Sequence, residues 1–152
     1  MAWRKPRSPE DVILYPGTQE VEEYVYTPGK HGLQHAEALK EGKILAMRCG
    51  DTLIVPPLTF CPDGRPAEGL EEVKTQWRVI TYTVIHEDVE GRRLEEPEII
   101  AFLRPDGYQG GLFHRVKASL QEIFIGMPVR PVFRPEEERT GTIADIEYFE
   151  PV

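Results

Sequence analysis

The sequence predicts a mainly β fold. A five-stranded barrel of the OB type is expected over residues 69–152, behind a short hairpin segment (42–68) and an N-terminal arm with one helix (1–41). Three observations carry this. Five apolar or β-branched runs, each bounded by turn residues, fall in the second half of the chain. A single short element, Ser119–Phe124, stands between the third and fourth runs, as in an OB-fold. The 14 prolines and 13 glycines among 152 residues favour short elements over long helices.

The arm opens with Arg4, Lys5 and Arg7 beside Pro6 and Pro9, an exposed, irregular start. Asp11–Tyr15 reads as an extended piece stopped by Pro16-Gly17. Val21–Tyr26 is a strand or a turn of helix before the Pro28-Gly29 break. His31–Glu41 is the best helix, with Leu33, Ala36, Ala38 and Leu39 on one side and Gly42 as its stop. Lys43–Met47 and Leu53–Val55 then read as two short strands with tight turns, too small to hold a core alone.

Within the barrel, Thr75–His86 (TQWRVITYTVIH) places apolar groups on both faces, so both are expected to be partly covered. Glu98–Leu103 is a buried strand closed by Pro105-Asp106-Gly107. Gly111–Val116 is the third strand, and Ser119–Phe124 a short helix or a turn. Met127–Arg134 is the fourth strand, with Pro131 marking an edge or a bulge. Glu136–Arg139 is a solvated loop, and Thr142–Tyr148 the fifth strand. The period-two pattern assigns the core to Trp77, Val79, Ile99, Ala101, Leu103, Leu112, Val116, Val129, Val132, Phe133, Ile143 and Ile146.

Composition narrows the function. With 18 Lys and Arg against 26 Asp and Glu, the net charge is −8. That argues against a general nucleic-acid binder, which must neutralise phosphates, and against a polybasic membrane-surface protein. The start MAWRKPRSPED carries no apolar leader core, and a cytoplasmic location is expected.

The two cysteines lie in two knuckle-like segments, MRCGDTLIVPP and FCPDGRP. A ribbon zinc needs four Cys or His ligands, usually as two close pairs on two knuckles. Here Thr52 stands three residues after Cys49, and Gly64 three after Cys61. In their order, Leu39–Leu45 (LKEGKIL), Arg48-Cys49, Val55-Pro56-Pro57, Cys61-Pro62, Tyr82–His86 (YTVIH) and Ile125–Val129 (IGMPV) resemble the DUF35 family of acyl-CoA-associated proteins, over residues 33–152. Tyr24–Gly29 (YVYTPG) resembles the arm of thiolase-linked members more loosely.

The resemblance implies an N-terminal helical arm, a rubredoxin-like zinc ribbon over 42–68 and a C-terminal OB-fold. It implies partners that act on acyl-CoA esters: a thiolase (acetyl-CoA acetyltransferase), a hydroxymethylglutaryl-CoA synthase, hydratases or aldolases. The family's ligand pattern, C-x2-C then C-P-x-C, is degenerate here, since one cysteine remains in each knuckle. Cys49 answers to either the first or the second family ligand. Asp51 and Asp63 could add oxygens, but one thiolate and one carboxylate per knuckle is a poor structural zinc site. No zinc is expected. The degenerate knuckles should nevertheless face each other, with Cys49 and Cys61 as neighbours, either free or disulfide-bonded.

No catalytic residue emerges. His86 beside Glu87 and Asp88 could act as a general base, but neighbours on a strand point to opposite faces, and a strand-end histidine is the plainer reading. His114 reads as a barrel-face residue. His31 and His35 have the i, i+4 spacing of a two-His metal site, without the HExxH glutamate. Trp77, Phe102 and Phe113, beside basic residues, could form a stacking platform for bases. The leading expectation is a non-catalytic scaffold or accessory subunit of a thiolase-type complex. It would bind no cofactor tightly and share a CoA or acyl-CoA contact with its partner. The alternatives are an OB-fold module for a nucleotide or single-stranded nucleic acid, and a small hydrolase built on His86.

Overall fold

The computed structural model describes residues 27–152. The expectations for Asp11–Tyr15 and Val21–Tyr26 lie outside the described residues. Helix α1 spans Gly29–Lys40 and buries Ala38 and Leu39. It ends as Gly42 implies. The Gly42 amide donates to Leu39 O (2.9 Å) and the Lys43 amide to Ala38 O (2.9 Å), a Schellman motif with Gly42 in the left-handed region.

Two sheets follow. Strands β1 (Leu45–Cys49) and β2 (Thr52–Val55) form a hairpin, Cys49 opposite Thr52, and β3 (Gly69–Glu72) pairs antiparallel with β1. Gly69–Glu72, expected in the barrel, therefore belongs to the ribbon sheet. Arg48 donates to Glu71 between the two strands. The second sheet has β4 (Trp77–Glu87), β5 (Arg93–Pro105), β7 (Leu112–Arg115), β8 (Pro128–Phe133) and β9 (Ile146–Pro151), in the order β7-β5-β4-β8-β9. A parallel bridge between Val116 and Phe149 brings its two ends together, and Lys117 N donates to Phe149 O (2.7 Å). That order with that closure is the five-stranded OB barrel.

The sheets are joined by β6 (Gln109–Gly110), which runs parallel to β2. One apolar cluster accordingly runs from Leu39, Ile44, Ala46 and Val55 into Trp77, Val79, Leu103, Val129, Ile146 and Phe149. Most of the expected barrel core is buried. Val132 and Phe133 are only partly so, and Ile143 is 45% exposed.

The exposure of Ile143 corrects the fifth strand. Thr142–Asp145 forms a capped 3-10 turn instead of extended chain, and β9 begins at Ile146. The cause is Asp145. Its buried carboxylate accepts from the Thr140 amide (2.8 Å), the Gly141 amide (2.7 Å) and the Thr142 amide (3.3 Å), and these bonds wind the chain up. Ser119–Phe124 is a turn, held by the Ser119 hydroxyl donating to Glu122 (2.8 Å). At Pro131, β8 has already left β4, which it meets at Trp77–Val129 and Arg78–Pro128, so the missing N–H leaves no gap in that ladder.

The expected cover on both faces of β4 does not hold in its middle. The pairing slips between Val79 and Thr81, leaving Ile80 as the extra residue, and Ile80–Thr83 are exposed.

Candidate functional site

An apolar groove opens where α1 meets the Pro56–Leu58 segment and the Thr142–Asp145 turn. Its volume is about 460 Å³, and Ala36, Leu39, Pro57, Leu58, Leu112 and Ile143 line much of it. The sequence builds each wall for a local reason. The α1 wall follows from the helical spacing of Ala36 and Leu39. Pro56-Pro57 ends β2 and removes two N–H groups from a stretch that would otherwise need partners. His31 Nδ1 donates to Leu58 O (3.0 Å), tying helix to loop, and the Leu58 amide packs on Met47 Sδ (3.2 Å).

His35 is the groove's basic side chain. Its Nδ1 accepts from the Leu45 amide (3.2 Å), so in the neutral ring the proton sits on Nε2. Burial pushes the imidazole pKa below its ordinary value and keeps the ring neutral. His31 and His35 thus serve two separate backbone contacts and do not converge as a metal pair.

Apolar side chains extend the surface beyond the groove. Leu33 on α1, Leu58 and Phe60 are each more than half exposed. Ile143 also lines a second depression of about 360 Å³ that holds Phe113, His114 and Arg134. Phe113 is 73% exposed and packs against Phe102 at 4.9 Å between ring centroids. A third depression, about 570 Å³ between β5, β7 and β9, is lined by charges that pair with one another, as Arg115 does with Glu98 (3.1 Å).

The structure distributes the other expected site residues as follows. Cys49 and Cys61 face each other with Cα atoms 5.9 Å apart and form a disulfide. Asp63 is taken by Arg65, whose Nε donates at 2.8 Å, and Arg65 holds its carboxyl below the usual carboxylate range. Asp51 is exposed in the β1–β2 turn. A rubredoxin-type zinc therefore does not fit this donor set. Its two thiolates are spent on each other, and among the described residues no group of three or more His, Cys, Asp or Glu is placed to hold a metal ion.

His86 and Glu87 are exposed at the end of β4, while Asp88 accepts from the Glu90 amide (2.9 Å) and from Arg92 Nε (2.8 Å). His114 Nδ1 accepts from the Arg115 amide (2.9 Å). Trp77 is not part of a surface platform. It is buried edge-on to Phe149, with ring centroids 5.4 Å apart. Of the three platform aromatics only Phe102 and Phe113 are left at the surface side. The groove itself was missed from sequence, because it joins segments more than 80 residues apart. Asp145, which shapes its far wall, had a signal: Thr142-x-x-Asp145 is a capping-box spacing.

No helix among the described residues is long and apolar enough to cross a membrane. The family described as ChsH2, rubredoxin-like zinc ribbon domain matches residues 36–64. No curated protein matches the chain. Two solved structures are similar. One is a DUF35-family protein of unknown function from Sulfolobus solfataricus, 28% identical over 68% of this chain and 78% of that one, with a TM-score of 0.61. The other is an Ltp2-ChsH2(DUF35) aldolase, 25% identical over 78% of this chain and 91% of that one, with a TM-score of 0.56. The ribbon match, the barrel order and these two likenesses agree, and together they support assigning the chain to the DUF35 family.

Proposed function

We propose that this chain is a non-catalytic partner subunit of a thiolase-type acyl-CoA enzyme, serving to hold the complex and to help bind or channel a CoA thioester. The observation that carries the reading is the apolar surface of Leu33, Leu58, Phe60 and Ile143 around the α1 groove, on a chain similar to one named together with Ltp2 in an aldolase. Exposed side chains of this kind, grouped at one end of a fold, mark an interaction surface. The chemistry agrees. Cys49 and Cys61 are tied up as a disulfide, and His31, His35 and His114 each use Nδ1 on the backbone. The net charge of −8 disfavours nucleic acid as the partner.

The test is reconstitution. The pure chain is assayed with acyl-CoA esters alone, then with a thiolase-type enzyme from the same source. The reading expects no turnover alone, complex formation on size exclusion, and altered turnover of the enzyme when bound. Acyl-CoA cleavage by the pure chain, lost in His86→Ala, contradicts it.

A further inference from the structure

The ribbon keeps its shape with half of its usual ligands. Cys49 closes β1 just before the Gly50-Asp51 turn. Cys61 opens a second tight turn, in which its amide donates to Arg65 O (2.7 Å) and its carbonyl accepts from the Gly64 amide (2.9 Å). These are the two knuckles across which a rubredoxin-type zinc would sit. Their Cα atoms are 5.9 Å apart, inside the range that one disulfide spans. Of the carboxylates nearby in sequence, Asp63 is committed to Arg65, Glu68 to the Gly50 amide (3.2 Å) and Glu71 to Arg48, while Asp51 is exposed in the β1–β2 turn.

We propose that the Cys49–Cys61 disulfide replaces zinc as the crosslink of this ribbon, so that the segment's stability depends on thiol oxidation instead of on metal. The bond closes a loop with a sequence separation of 12 residues that includes β2 and the Pro56–Leu58 edge of the groove. It restricts the unfolded chain there, as a zinc would by holding both knuckles. The oxidant is a small disulfide of the glutathione type. Cys49 is the more exposed of the two, and its thiolate attacks that disulfide and expels one thiolate. The Cys61 thiolate, nine-tenths buried beside it, then attacks the Cys49 sulfur of the mixed disulfide and expels the second. Two protein thiols give up two protons and two electrons, and the small disulfide leaves as two thiols.

The experiment uses the full chain, purified without reductant and equilibrated with a mixture of oxidised and reduced glutathione. It is unfolded in iodoacetamide and its intact mass and zinc content are measured. The proposal expects no alkylation before reduction, two adducts after it, and no stoichiometric zinc. Thermal scans should show a midpoint lowered by about 5–10 °C with a phosphine reductant and unmoved by EDTA. A Cys49→Ala/Cys61→Ala chain should show the lowered midpoint without reductant. If that variant fails to fold, the alkylation and metal readouts on the unaltered chain still decide. Two alkylated cysteines in the unreduced chain, or one zinc per chain whose removal by EDTA lowers the midpoint, overturns the proposal.

Discussion

Gly110 lies so close to Val55 that a Cβ on it would overlap the Val55 carbonyl. Its φ of +74° is in the left-handed region, and the next amide, Gly111 N, donates to Val55 O (2.8 Å). This contact joins the ribbon sheet to the barrel hairpin and lets them share one core.

Gly110→Ala should therefore cost about 2–3 kcal/mol, combining left-handed strain with displacement of the β2–β6 ladder. Urea unfolding followed by Trp fluorescence checks it. Because the cluster containing Trp77 is continuous with Val55 and Leu39, the variant is expected to unfold in a single, earlier transition.

Asp145 is 1% exposed. Burial by itself would raise its pKa, but the amides of Thr140, Gly141 and Thr142 and the Thr140 hydroxyl outweigh it and hold the carboxyl below its ordinary 3.8. A lowered folded pKa means stability that is fully present above 3.8 and lost as pH falls through the folded value. Asp145→Ala leaves those amides without their acceptor and should cost about 3 kcal/mol at neutral pH. Its stability should also fall less steeply than the parent's in acid, which urea midpoints across the acid range would show.

His35 acts on the same acid side of the pH profile, at a higher pH than Asp145. Its folded pKa lies below 6.5 because burial disfavours the imidazolium. The neutral ring's contribution is complete above 6.5 and is lost as pH falls through the folded value. Protonation of Nδ1 also removes the acceptor of the Leu45 amide. The difference in urea midpoint between about pH 7.5 and about pH 5.5 should be larger for the parent than for His35→Gln.

Leu58 and Ile143 are 59% and 45% exposed, so Leu58→Asp and Ile143→Asp should each change folding stability by no more than about 0.5 kcal/mol. Both line the groove, and each should weaken binding of the partner enzyme about tenfold or more. Calorimetric titration beside a thermal scan separates the two effects.

Much of the barrel was legible because its strands obey the period-two rule: Val79, Ile99, Ala101, Leu103 and Val129 are apolar, alternate, and are buried. The neighbouring knuckles followed from Cys49 and Cys61 and the family resemblance. The rest depended on contacts that a linear pattern does not carry. The slip at Ile80 moves one residue out of register and exposes what alternation would have covered. The β1–β3 pairing rests on Gly69–Glu72, whose composition does not mark a strand. Ile143 reads as core when Thr142–Tyr148 is taken as a period-two strand, whereas the carboxylate of Asp145 decides the backbone there. The groove needed α1, the Pro56–Leu58 segment and the Thr142–Asp145 turn together, and their meeting is a property of the closed fold.

The central claim is that the chain works as a partner subunit, and native co-purification tests it most directly. The tagged full chain is isolated from its source cells at low salt, and the co-eluting material is identified by mass spectrometry and weighed by light scattering. The account predicts a stoichiometric complex with a thiolase-type acyl-CoA enzyme, dissociated by Leu58→Asp. A chain that elutes alone, or with nucleic acid, and binds no such enzyme on reconstitution would contradict it.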